Sequence, residues 1–115
     1  MATVLKKLTN NPTSQDLDFL IEAHAKIGYL ASEVQAEAEF AYAVRKNAEA
    51  DAWKRIMTSG EKTTAAAAER YAELEVWDLR QAEVEANKRS RKINNLLDSI
   101  REAINGVKFL GRNGG

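Results

Sequence analysis

Cysteine is absent from the 115-residue chain, so neither a disulfide framework nor thiolate chemistry is available to it. His24 is the only histidine, which leaves imidazole chemistry a single candidate. Pro12 is the only proline, and four of the six glycines lie at or beyond Gly106, so the interior is nearly free of helix breakers. No apolar run approaches the ~18 residues of a membrane helix. The opening Met1-Ala2-Thr3-Val4-Leu5-Lys6-Lys7 lacks the apolar stretch of a signal peptide. These absences point to a cytoplasmic protein with no membrane partner. Net charge is zero, so no global field draws the protein to nucleic acid.

What remains is helix-forming sequence. Apolar residues make up 44% and charged residues 30%, the profile of a folded helical chain rather than a disordered one. The length suits one domain. Residues 2–9 carry Val4, Leu5 and Leu8 at helical spacing, and Asn10-Asn11-Pro12 interrupts them, so residues 1–12 read as a short helix and linker. Thr13 is placed to cap the next helix, with Asp16 three residues on as in a capping box. From there Leu17, Leu20, Ile27, Val34, Ala41 and Ala48 recur at steps of three, four or seven to about Met57.

Thr58-Ser59-Gly60 is the strong interior turn signal. Gly60 suits the left-handed conformation that follows a helix end. Glu61 then opens a second helix over 62–105, with Thr63-Thr64 as an alternative start. Apolar positions either side of Gly60 form a mirror: Leu20 with Ile100, Ile27 with Ile93, Val34 with Ala86, Ala41 with Leu79, and Ala48 with Ala72. Ala65, Ala68, Ala82, Leu97 and Ile104 continue the same face. One turn would lay the arms together, which predicts an all-α fold: a long antiparallel two-helix hairpin over residues 13–110. The same mirror pairs Arg45 with Glu75. Gly106 should end or fray the second helix. Val107, Phe109 and Leu110 are expected to fold back toward Val4, Leu5 and Leu8, and residues 111–115 to form a disordered tail.

A second apolar set lies off this seam: Leu30, Phe40, Val44, Leu74, Val76, Trp77 and Val84. Two helices cannot bury two stripes by themselves. Self-association is the expectation, most simply a two-fold dimer forming a four-helix bundle, with Phe40 and Trp77 at its centre. Trp53, Ile56 and Met57 by the turn are expected to pack inside the protein.

Site chemistry is sparse. His24 falls at the seam opposite Leu96 or Leu97 and lacks the second ligand or carboxylate spacing of a metal or catalytic site, so it reads as a seam-edge side chain. Glycine-rich phosphate loops and nucleophile elbows are missing. Glu37 and Glu39 belong to a solvated face. No catalytic residue, metal ligand or cofactor is assigned, and an enzyme is not expected. The charge distribution is polarised: residues 86–115 carry seven bases against two acids, and residues 33–85 twelve acids against seven bases. Lys88, Arg91 and Lys92, with Arg101 and Lys108, are the candidates for contact with nucleic acid or an acidic partner. Arg89 sits nearer the seam.

The terminal segment Arg91-Lys92-Ile93-Asn94-Asn95-Leu96-Leu97-Asp98-Ser99-Ile100-Arg101-Glu102-Ala103-Ile104-Asn105, continuing through Lys108-Phe109-Leu110, resembles that of small Ala/Glu-rich helical-hairpin proteins of tailed phages and prophages. That resemblance covers residues 14–110 in organisation and implies a setting in phage or mobile-element DNA metabolism. It transfers no functional residue. Two functions compete: an oligomeric adaptor that touches nucleic acid through its basic segment, and a phage-encoded inhibitor or assembly scaffold that recognises a host protein through its acidic middle.

Overall fold

The structure, a computed structural model, describes residues 2–9 and 13–114. The expected break at Asn10-Asn11-Pro12 and the last residue, Gly115, lie outside them. The described residues are all-α, with no strand among them: α1 (Ala2–Thr9), a 3-10 turn (Ser14–Asp16), α2 (Leu17–Met57), α3 (Ala65–Glu75) and α4 (Trp77–Gly114). The fold is a helical hairpin in which α2 packs against α4, and it divides into two compact units.

The first unit comprises residues 1–34 and 90–115. Its core joins Val4 of α1, Leu20, Ala23 and Ile27 of α2, and Ile100 and Ile104 of α4. Leu20 and Ile100 are fully buried, and Leu8, Leu17, Phe19, Ile93, Leu96 and Leu97 pack around the cluster. Burying one large aliphatic side chain contributes about 1.5–3 kcal/mol, so this three-helix contact anchors the open end of the hairpin. α2 starts much as its sequence dictates. The Thr13 N–H donates to Asp16 Oδ2 at 2.9 Å, the reciprocal half of a capping box, and the Asp16 N–H donates to the Thr13 carbonyl at 2.9 Å.

The second unit comprises residues 35–89. Its buried side chains are small: Ala38, Ala52, Ala68, Ala72, Val76 and Ala86. Alanine leaves little side chain to separate two helix backbones, which permits a close approach. α2 ends at Met57; the Thr58 N–H bonds back to the Lys54 carbonyl, and Gly60 takes φ +85 as expected of the residue that reverses the chain. The second arm opens at the later of its two candidate starts. Thr64 is the N-cap, and its hydroxyl accepts from the Ala67 N–H at 3.1 Å.

Several expectations are corrected. The arm over 62–105 is two helices, α3 and α4, parted at Val76 (φ −103, ψ 20). The helical path still continues across it, because the Val76 N–H reaches the Ala72 carbonyl and the Arg80 N–H reaches the Val76 carbonyl. Val76 is buried and not part of the off-seam set: it continues the four-residue step of Ala68 and Ala72 into the core. Ala65 and Ala82 are exposed, and half-buried Glu83 lines the seam beside Ala82. Past Gly106, α4 continues to Gly114, across the segment expected as a tail. Its unbroken helix keeps Phe109 and Leu110 exposed instead of folding them back toward α1; Val107 alone of that trio is buried.

Register also differs. Arg45 pairs with Glu83 rather than Glu75, and Glu75 pairs with Arg55. These contacts, and the approach of Gly28 to Leu97, are centred between residues 62 and 65 and not on Gly60. The reason is the connection, which runs from 58 to 64 before Thr64 caps α3 and so displaces the mirror toward the second arm.

Candidate interaction surfaces

Large apolar side chains on the second unit remain in solvent. Phe40 is 71% exposed, Leu74 63% and Trp77 54%; Val84 is also exposed, while Leu30, in the first unit, and Val44 are half-buried. Of the six residues expected at an oligomer interface, four therefore stand free and two are partly covered. Tyr29, Tyr71, Phe109 and Leu110 are further exposed apolar groups that the off-seam pattern did not single out.

The basic side chains are also accessible. Lys88, in the second unit, is exposed and makes a long i,i+3 pair with Glu85 at 3.5 Å, its only ion pair among the described residues. In the first unit Arg91, Lys92 and Lys108 are exposed, and Arg101 pairs with Asp98 at 3.4 Å. Exposed pairs of this kind contribute about 0–1 kcal/mol, so they do not remove these cations from competition for a partner. From Arg91 to Lys108 the helix rises ~26 Å. Those four cations are strung along α4 rather than gathered into one pocket.

The most extensively bonded polar side chain is Arg45, which the sequence pattern pairs with Glu75 and the structure pairs elsewhere. Arg45 Nε donates to Glu83 Oε2 at 2.7 Å, Nη2 to Glu83 Oε1 at 3.2 Å, and Nη1 to Glu49 Oε2 at 2.8 Å. This is a fork on one carboxylate with a branch to another. The hydrogen bonds from Arg45 hold the Glu83 carboxyl below the usual glutamate range against the opposing effect of burial, with smaller help from the charges of Arg45 and Arg80. The same bonds raise Arg45 further above its already high ordinary value. The guanidinium lies 5.3 Å from the Tyr42 ring centroid, and Lys46 Nζ lies 5.7 Å from the same ring. Beside this cluster is an open cavity of about 290 Å³ lined by Arg45, Lys46, Glu49, Ala50, Trp53, Glu69 and Ala72. Trp53 is thus a cavity wall, partly exposed, and not a plug; Met57 is likewise exposed and Ile56 half-buried.

His24 is half-buried in the first unit, and its buried Nε2 has no hydrogen-bond partner. Among the described residues no group of three or more His, Asp or Glu side chains is placed to hold a metal ion. Nor is any described helix long and apolar enough to cross a membrane. Compared with known protein families, curated proteins and solved structures, the chain matches none of them.

Proposed function

We propose that the protein is a non-enzymatic, self-associating adaptor: copies join through the exposed apolar side chains of the second unit, and the helices then present a charged surface to a partner. The observation that carries this reading is the exposure of Phe40, Leu74 and Trp77 on one compact unit. Exposed single apolar residues are ordinary, but these three together with Tyr71, in about fifty residues otherwise rich in alanine and charge, mark an interaction surface. Light scattering on a sizing column tests it. Wild type runs as a dimer or higher oligomer, and the Phe40→Glu, Trp77→Glu protein runs as a folded monomer. A wild-type monomer at all concentrations removes self-association.

A second reading, contact with nucleic acid, draws on Arg91 and Lys92, which are exposed on α4 and hold no ion pair among the described residues. In the phage setting that the terminal segment resembles, such a contact would belong to DNA metabolism. Phosphate binding requires accessible cations and is sensitive to salt, which makes it directly measurable.

A further inference from the structure

We infer that the self-association surface is an antiparallel pairing of the α3–α4 arm with the same arm of a second copy, set about a two-fold axis between Arg80 and Gln81. The inference rests on the self-association reading and adds an orientation and a register to it.

The exposed residues Glu73, Trp77, Gln81, Val84 and Lys88 recur at steps of four, four, three and four, which keeps them on one side of a helix. Ala68, Ala72, Val76 and Ala86 stay buried across the break at Val76, so the exposed stripe beside them runs on from α3 into α4. Along this stripe the order is acid, aromatic, amide, aliphatic, base. It becomes complementary only when reversed on itself. Centred between Arg80 and Gln81, an antiparallel copy sets Trp77 level with Val84 of the second copy and Glu73 level with Lys88 of the second copy. Two-fold symmetry repeats both pairings, so the apolar residues meet in the middle and an ion pair closes each end.

A parallel copy would set Glu73 against Glu73 and Lys88 against Lys88, placing like charges together at both ends. Of the charged groups beside the stripe, only Arg80, next to the axis, faces its own kind. Glu83, which would otherwise lie level with Asp78, is turned into the seam and held by Arg45. Arg80 lies within the electrostatic reach of Glu83 and stands beside the axis, where its exposed side chain must turn outward from its symmetry mate. Lys88 gives up only the weak pair with Glu85. Glu73 holds no ion pair among the described residues, so the second copy supplies the cation that its own chain does not.

Analytical ultracentrifugation of wild type, Glu73→Lys, Lys88→Glu, the double reversal and Trp77→Glu tests this, with circular dichroism confirming that each stays helical. Each single reversal should weaken the dimer about tenfold, because two symmetry-related pairs become repulsive at once. The double reversal should restore it, and Trp77→Glu should abolish it. Orientation is read separately, since the chain has no cysteine of its own. Glu73→Cys protein mixed with Lys88→Cys protein should cross-link as mixed dimers, because residues 73 of the two copies lie ~22 Å apart. A wild-type monomer overturns both this inference and the self-association reading. A wild-type dimer that survives both single reversals and Trp77→Glu, or that cross-links readily from Glu73→Cys alone, overturns the register and orientation while leaving self-association intact.

Discussion

Arg45 and Glu83 lock α2 to α4 through two hydrogen bonds, Nε to Oε2 at 2.7 Å and Nη2 to Oε1 at 3.2 Å, with both side chains about nine-tenths covered. A covered charge left without its partner is costly, so truncating either one should hurt more than removing both. Arg45→Met is expected to lower stability by about 1.5–3 kcal/mol, the range for hydrogen bonds to charged groups. The double change Arg45→Met, Glu83→Leu should recover much of that loss. Urea titrations of the two single variants and the double close the cycle. Losses that simply add would mean the two side chains are not coupled.

The same pair makes stability depend on acid. Glu83 has its carboxyl held below the ordinary value of 4.5 by Arg45. A group whose folded value is depressed contributes stability that is complete above its unfolded value and is lost as pH falls through the folded one. The stability difference between wild type and Glu83→Gln should therefore be constant from neutral pH to about 5 and shrink below 4.5. Thermal melts at pH 7, 5, 4 and 3 measure it. A difference that grows on acidification would contradict the assignment.

Gly28 and Gly60 should respond to alanine in opposite directions. A Cβ added at Gly28 would stand 3.9 Å from Leu97 Cδ1, an ordinary contact, within the long helix α2. Alanine is favoured over glycine in a helix interior by about 1 kcal/mol, so Gly28→Ala should raise the melting temperature by several degrees. Gly60 has open space around it but takes φ +85, where a Cβ strains the backbone by about 1–2 kcal/mol. Gly60→Ala should lower the melting temperature by a similar amount. Scanning calorimetry on both proteins reads the signs.

Much of this fold is legible in the residues because periodicity reports burial directly. The spacing of Leu20, Ile27, Ile100 and Ile104 sets them in the seam, and all are buried. The turn was visible because one glycine interrupts a chain that otherwise avoids breakers. Register was harder. The mirror about Gly60 assumes a tight reversal, but threonines 63 and 64 offer a better N-cap than Glu61, and the longer connection shifts the contacts of Arg45, Arg55 and Gly28 with the second arm. Val76 escaped for a related reason: a four-residue step through Ala68 and Ala72 carries it into the core, while its apolar neighbours Leu74 and Trp77 suggested the outer face. The Tyr42, Arg45 and Lys46 cluster needed three dimensions, since its acidic partner Glu83 lies 38 residues away in the chain. Exposure of Phe40 and Trp77 was foreseen from the surplus of apolar residues over what two helices bury.

His24 has a buried Nε2 with no hydrogen-bond partner, in a unit whose core is otherwise aliphatic. An unsatisfied buried polar atom costs on the order of 1–3 kcal/mol. Replacing the imidazole with a purely apolar side chain removes that cost and keeps most of the volume. His24→Leu is expected to be stabilising by about 1 kcal/mol, whereas a side chain serving a partner or ligand would leave stability unchanged and lose binding. Chemical denaturation of the variant, beside a measurement of its oligomeric state, separates the two.

Arg91 and Lys92 decide whether nucleic acid belongs in the functional reading. Cations that meet phosphates release counterions from the nucleic acid, so the logarithm of the binding constant falls linearly with the logarithm of salt, by about 0.7–0.9 for each phosphate neutralised. Few aromatic side chains accompany the basic segment, Phe109 being the nearest that is exposed, so stacking on single strands should add little and double- and single-stranded DNA should bind alike. Anisotropy titrations at several salt concentrations are expected to give weak, steeply salt-dependent binding. Arg91→Glu with Lys92→Glu should lower both affinity and slope, the slope by roughly two phosphates' worth. Lys92 lies one helical turn beyond Lys88, so sedimentation of the same variant is measured beside its DNA binding, and a loss of binding with the oligomer intact is assigned to the contact itself. Binding that ignores salt, or that survives the double reversal, would assign the exposed cations to a solvated helix surface and leave protein–protein contact as the protein's function.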